Sequence, residues 1–285
     1  MDISVIGAGR VGTALAVLLQ RSGHRIVAVS GRVATAERAG RFLAGTPVTT
    51  DAEAASAGVV VVVGMPDALV EPTAEAIAGS LRPDAAVVHL SGALGLEVLR
   101  PAEAAGATPV ALHLLQTFPT VEAALDRVRG SAAAVTARTE EGFALGERLA
   151  EDAGARPFRL ADADRPLYHA GAVLASNAVV ALLALADGVL AEAGVDDPVE
   201  RFLGLSRASV DNVGDLGPAA ALTGPVVRGD AATVERNLRA LSERSPEAVA
   251  PYIALSHAAA DLAVRSGRLD DGRRRAIEEV LDRWT

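Results

Sequence analysis

The chain has 285 residues, half of them hydrophobic, and a formal net charge of −9 from 27 basic and 36 acidic side chains. It has no cysteine, and because every basic residue is arginine it has no lysine. This excludes disulfides, thiolate nucleophiles, cysteine-bound metal centres, Schiff-base chemistry and a P-loop lysine, and the acidic balance argues against nucleic acid or an anionic membrane as partner.

The length fits about two domains. Alanine supplies 60 residues and aromatics only 8, which favours many closely packed helices. Met1 leads straight into a strand-like run, Asp2–Ile6, so no signal peptide is expected. Further candidate strands are Ile26–Ser30, Val59–Val63, Ala86–Leu90, Pro109–Leu114 and Ala132–Thr136. Five consecutive valines suit a strand buried on both faces, and strands alternating with alanine-rich helices predict a Rossmann-like, doubly wound parallel sheet over residues 1–160.

Beyond Ala155–Asp164 the strand pattern ends, and an all-α domain is expected over 161–285. One helix is expected from Asp164, as N-cap, to Ala193, with Gly194 as its stop. Helices over Pro198–Val213, Asp230–Glu243, Ser245–Gly267 and Asp270–Arg283 follow, with a loop at Gly214–Gly229. The longest apolar helical stretch, Ala172–Ala186, is interrupted by Ser176-Asn177 and is short for a membrane span, so a cytoplasmic protein is expected.

Gly7-Ala8-Gly9-Arg10-Val11-Gly12 reads GxGxxG. It follows the first strand and opens an amphipathic helix, Val11–Arg21, within a βαβ unit. Gly7 permits the tight turn, Gly9 lets backbone approach a pyrophosphate, and Gly12 lets helix pack on strand. The free amides of the helix start then bind phosphate. An NAD site would carry Asp or Glu at the end of the second strand, where this chain has Ser30-Gly31-Arg32. Arg21, Arg25, Arg32, Arg38 and Arg41 face a single acid, Glu37, between residues 21 and 41. Arg32 beside Ser30, with Arg38 from the next helix, suits a 2′-phosphate, so NADP(H) is expected over NAD, and a deazaflavin stays open.

Ligands of open α/β sheets sit at the carboxyl ends of the strands. Gly64, Met65 and Pro66 are expected along the cofactor path, with Ser91 and His113 toward the reacting end. The alternatives are a helix cap for Ser91 and a loop-bonded buried histidine for His113. Gln116 and Thr117 carry the weaker case. In the helical domain His169, Ser176 and Asn177 share one side of an apolar helix at 100° per residue, and such a stripe wants a polar cleft or an interface. Thr223 sits on a tight turn, and Arg228 could clamp a carboxylate or pair with Asp230. The other histidines read as turn surface (His24), strand interior (His89) and helix (His257), with no metal-ligand spacing, so no metal is expected.

GAGRVG, VVVGMPDALV, VVHLSGALG, LHLLQTF, LYHAGAVLASN and LTGPVVRGD together resemble a bacterial family with a Rossmann-like N-terminal domain and a helical C-terminal domain of unknown function. The family stands beside ketopantoate reductase, pyrroline-5-carboxylate reductase and the NADP–deazaflavin oxidoreductases. The resemblance implies an NADP-dependent reductase, dimerised through the helical domain, and acting on ketopantoate. Relatives have Pro where this chain has Leu114. The lysine of the ketopantoate reductase KLxxN motif falls on Val173, while Asn177 matches, so that mechanism does not carry over unchanged.

The expected reaction is hydride transfer to a C=O or C=N carbon of a small carboxylate. The candidate acids are His169, which is favoured, and His113; Asn177 orients the oxygen, His113, Gln116, Ser176, Ser91 and Thr223 shape the pocket, and Arg228 holds the carboxylate. The alternatives are an imine reductase of the pyrroline-5-carboxylate type and a non-catalytic NADP(H)-binding sensor or scaffold.

Overall fold

The computed structural model describes residues 1–285 and divides into two compact units, Met1–Ser176 and Asn177–Thr285. The division falls further along the chain than residue 160, where the sequence pattern places it.

The first unit is α/β. Strands β1 (Asp2–Ile6), β2 (Arg25–Ser30), β3 (Val60–Val63), β4 (Ala86–His89), β5 (Thr108–Leu114), β6 (Ala132–Ala137) and β7 (Arg156–Arg159) form one sheet in the order β2-β1-β3-β4-β5-β6-β7. All pairs are parallel except β5 with β6. Helices α1 (Arg10–Arg21), α2 (Ala34–Phe42), α3 (Asp51–Ala57), α4 (Asp67–Ile77), α5 (Arg100–Ala104), α6 (Val121–Arg127) and α7 (Glu140–Asp152) lie between the strands in sequence, and α8 (Arg165–Ala175) follows the sheet. The valines of β3 are buried throughout, as a strand covered on both faces requires. Their alternate side chains enter two separate cores, Val60 and Val62 on one face and Val61 and Val63 on the other.

Two expectations fail here. β7 is a strand of sequence Arg-Pro-Phe-Arg, mostly exposed at the sheet edge, and it carries no apolar alternation by which to read it. The single helix expected from Asp164 to Ala193 is two helices. Ser176 leaves helical geometry (φ −128°, ψ −73°), and α9 (Asn177–Glu192) begins after it. Angular spacing does not propagate across such a break, so the shared stripe of His169, Ser176 and Asn177 is not a helix face. Asp164 also makes no side-chain cap, although Pro166 does sit in the first turn.

The second unit is helical: α9, α10 (Pro198–Leu216), the one-turn helices α11 (Pro218–Ala221) and α12 (Pro225–Arg228) within the expected loop, α13 (Ala231–Arg244), α14 (Val249–Arg265) and α15 (Asp271–Asp282). Asp230 and Asp270 cap α13 and α15 through the amides of Thr233 and Arg273. Val234, Leu238, Ile277 and Leu281 centre its core. By contrast α9 buries no residue, and α10 buries only Phe202 while Leu205, Val210 and Leu216 stand out from it. By length and composition the Asp162–Glu192 segment is long and apolar enough to cross a membrane, with mean hydropathy 2.0 over 18 residues, contrary to the shorter stretch read from sequence.

Candidate functional site

The strand order reverses between β2-β1 and β3-β4, so the topological switch point lies between the carboxyl ends of β1 and β3. Gly7 turns the chain there at φ +79°, and both its amide and that of Ala8 donate to the Ser30 carbonyl, each at 3.0 Å. The loop after β3 lies against it. A Cβ on Gly7 would come within 2.6 Å of the Met65 sulfur and 2.9 Å of the Gly64 backbone, and one on Gly64 within 2.8 Å of the Gly7 carbonyl. A Cβ on Gly12 would press on Gly7 at 3.0 Å and Val5 at 3.1 Å, as a helix packed onto its strand requires. A Cβ on Gly9 would meet only the Gly7 carbonyl, at 3.9 Å, an ordinary contact that leaves the position open.

Helix α1 then starts with Gly9 as N-cap, without a side-chain cap and without an acid in its first turn. The amides of Arg10, Val11 and Gly12 are left without a hydrogen bond. Helices α3, α6 and α7 are instead closed by Thr50, Thr120 and Thr139. An open glycine cradle before an uncapped helix fits a diphosphate.

Around this cradle Arg38 donates to the Ala8 carbonyl at 2.7 Å, and Thr13 caps the same carbonyl at 3.1 Å. Arg10 reaches the Pro119 carbonyl at 3.0 Å. Arg25 and Arg41 are paired with Asp2 and Glu122, whereas Arg32 is exposed and makes no ion pair. The Ser30 hydroxyl is buried without a partner. Pro66 precedes the first turn of α4.

A second cluster forms at the ends of β4 and β5 with the start of α8, all within the first unit. His113 Nδ1 and the Tyr168 hydroxyl are 2.8 Å apart, and the His113 ring stands edge-on to Tyr168 and His169, at centroid distances of 5.6 and 6.1 Å. His113 therefore bonds a helix side chain rather than a loop. Burial, with the charge of Arg165 and the neighbouring His169, pushes His113 down to about 4. His169 Nδ1 is buried with no hydrogen-bond partner. Gly92 fills the gap between the rings, since a Cβ there would lie 2.5 Å from His169 Nδ1 and 3.0 Å from His113 Nε2.

The Ser91 hydroxyl accepts from the amides of Ala93 (3.2 Å) and Leu94 (3.1 Å), so it caps its own turn. His89 is fully buried and bonds the Ser91 amide and the Gly95 carbonyl, and burial pushes it down to about 3. Gln116 bonds the Arg127 carbonyl and the Thr117 amide, and Arg127 bonds the Thr117 hydroxyl, which commits both residues to the loop before α6. His24 is not turn surface: it is buried and bonds Asp152 at 2.7 Å and the N-terminal amine at 3.3 Å.

Sequence reasoning missed Arg165 and Tyr168. The one available signal was an arginine between Asp164 and Pro166, opening an otherwise apolar helix beside one of only two tyrosines.

Within the second unit, Asn177 is the first residue of α9, and Thr223 is exposed before α12. Arg228 ends α12, exposed and unpaired, because Asp230 is engaged by Thr233 at 3.0 and 2.7 Å. An open, mainly apolar cavity of about 620 Å³ lies between α9, α13 and α14, and includes neither histidine nor the glycine loop.

Residues 1–114 match the model of a Rossmann-like domain, and residues 131–259 match that of DUF2520, a domain of unknown function. No curated protein matches. Among solved structures, a Bacteroides fragilis protein named as a candidate NADP oxidoreductase is 26% identical, with a TM-score of 0.76 over 91% of this chain and 98% of that one. A Thermotoga maritima protein (24% identity, TM-score 0.72, 94% and 100% covered) shares the fold. So does a reductive aminase from Aspergillus terreus solved with NADPH and ethyl levulinate (19%, 0.67, 98% of both chains). The chain is thus a two-domain protein in which a Rossmann-like domain is followed by a DUF2520 domain, as its motifs implied.

Proposed function

We propose that the protein is an NADPH-dependent reductase acting on a C=O or C=N carbon of a small carboxylate, 2-dehydropantoate (ketopantoate) among the candidates. The observation that carries the reading is the switch-point cradle: a left-handed Gly7, an unfilled Gly9 and an uncapped α1. The likeness to the Bacteroides candidate NADP oxidoreductase supports the same cofactor class. The amides of Arg10, Val11 and Gly12 would hold the diphosphate, with Ser30 and Arg32 at the adenosine ribose and Gly64, Met65 and Pro66 along the path. When bound, NADPH supplies the hydride.

The remaining work falls to this chain's residues. Reduction of a carbonyl leaves negative charge on oxygen, which needs a proton and hydrogen-bond donors. His169, whose ring stands edge-on to His113 in this cluster, is assigned as the proton donor. His113, held uncharged near neutral pH, serves as a hydrogen-bonding wall tied to Tyr168. Asn177 and Arg228 are the groups assigned to the substrate oxygen and carboxylate.

The test is NADPH oxidation across a panel of 2-oxo acids and cyclic imines, with 2-dehydropantoate first. Turnover of one class supports the reading, whereas tight NADPH binding with no oxidation across the panel favours the sensor alternative.

Nucleotide choice has its own prediction. Arg32→Ala removes one charge-assisted contact worth about 1.5–3 kcal/mol, so the preference for NADPH over NADH should fall by about 10- to 100-fold in Kd. An unchanged ratio would remove Arg32 from the phosphate site.

We also propose a homodimer through the helical unit. The apolar faces of α9 and α10, with Val180 at 68% and Leu205 at 73% exposure, exceed the scattered apolar residues of an ordinary surface. Sedimentation should give a dimer without detergent, and a detergent-dependent monomer would point to a membrane instead.

A further inference from the structure

Arg165 is the largest of the fully buried side chains, and it forms no ion pair. Its guanidinium donates to the carbonyls of Ser91 and Leu94 and to the Thr136 hydroxyl, the last at 3.0 Å. The nearby Asp162 carboxylate is taken by the Leu96 amide at 2.8 Å. A buried cation satisfied only by neutral acceptors is costly, and an apolar side chain would pin the start of α8 at lower cost. The Ser91–Leu94 loop it grips contains Gly92, where a Cβ would press on both His169 and His113. Whatever fixes this loop therefore fixes the spacing of the two rings.

We propose, resting on the reductase reading, that Arg165 is the positioning residue for the reaction: it ties the Ser91–Leu94 loop to the start of α8, sets Gly92 between His113 and His169, and supplies a permanent positive charge behind them. The groups facing His113 are Arg165, Tyr168 and His169 from the α8 segment, Asp67 from the start of α4, and His89 from β4. Of these Arg165 is the permanent cation. Its charge and the burial of the ring oppose protonation of His113, which Asp67 favours. His113 then keeps a fixed hydrogen-bonding role toward Tyr168, and the same field favours negative charge developing on a substrate oxygen nearby.

Two variants separate position from charge. Arg165→Lys keeps the charge but cannot make the three-way fork. Its kcat should fall about 10-fold or more through misplacement of the loop, with the NADPH Kd within about twofold of wild type and the His113 titration midpoint, read by NMR, held low. Arg165→Met should lower kcat at least as far and also raise the His113 midpoint by about one pH unit or more.

Full kcat in Arg165→Lys, or an unmoved His113 midpoint in Arg165→Met, would overturn the proposal. Should Arg165→Met not fold, Arg165→Lys decides alone. Absence of NADPH oxidation by the wild type sinks the reductase reading instead, and the His113 titration still judges the electrostatic half.

Discussion

Gly7→Val should abolish nucleotide binding and destabilise the first unit by about 2–5 kcal/mol. Two costs add. The backbone at Gly7 is left-handed, which costs a side-chain-bearing residue about 1–2 kcal/mol. The new Cβ also has no room, because it would meet the Met65 sulfur at 2.6 Å and the Gly64 backbone at 2.9 Å. Overpacking of that kind costs typically about 1–3 kcal/mol. Relief requires the loops after β1 and β3 to part, and that parting moves the α1 amides away from any phosphate. Urea unfolding gives the stability change, and fluorescence titration gives the binding. A variant that binds NADPH with wild-type affinity would show that the switch point is not the nucleotide site.

The second large effect concerns chemistry rather than the cradle. His169→Ala removes the proposed proton donor and should lower kcat/KM by about 10²- to 10⁴-fold. NADPH affinity should stay within about twofold, because the ring belongs to the His113 cluster and not to the glycine loop. Stability should barely fall, since the ring nitrogen lost makes no hydrogen bond. The comparison uses whichever panel compound the wild type reduces. Retained kcat/KM in both His169→Ala and Asn177→Ala would remove this assignment and leave the proton to another group, of which Tyr168 stands nearest to His113.

The first unit was largely legible because its signals are local. Gly7, Gly9 and Gly12 act through backbone shape at fixed offsets, and a run of valines declares a doubly covered strand whatever its neighbours. β7 escaped because a mostly exposed edge strand of Arg-Pro-Phe-Arg needs no apolar alternation. The break at Ser176 escaped for a related reason: Ser176 and Asn177 stand out in an apolar run, but two adjacent polar residues are equally compatible with a polar stripe on an unbroken helix, and only the dihedrals of Ser176 show that the helix ends there. Arg165 and Tyr168 escaped because their partners are distant in sequence. Arg165 bonds residues more than 70 positions earlier, and the Tyr168 partner lies 55 positions back. Helical periodicity carries no information on such contacts. His24 was misread because a histidine after Ser22-Gly23 has the surroundings of a turn, while its burial depends on Asp152.

The central claim is that the amino-terminal cradle binds a reduced pyridine dinucleotide and prefers the 2′-phosphorylated form. Calorimetric titration of the full-length protein with NADPH and with NADH tests it most directly. The account predicts a saturable NADPH complex of one nucleotide per chain, weaker binding of NADH, and loss of both in Gly7→Val. Failure of NADPH to saturate the wild-type protein, or NADH binding as tightly as NADPH, would contradict it.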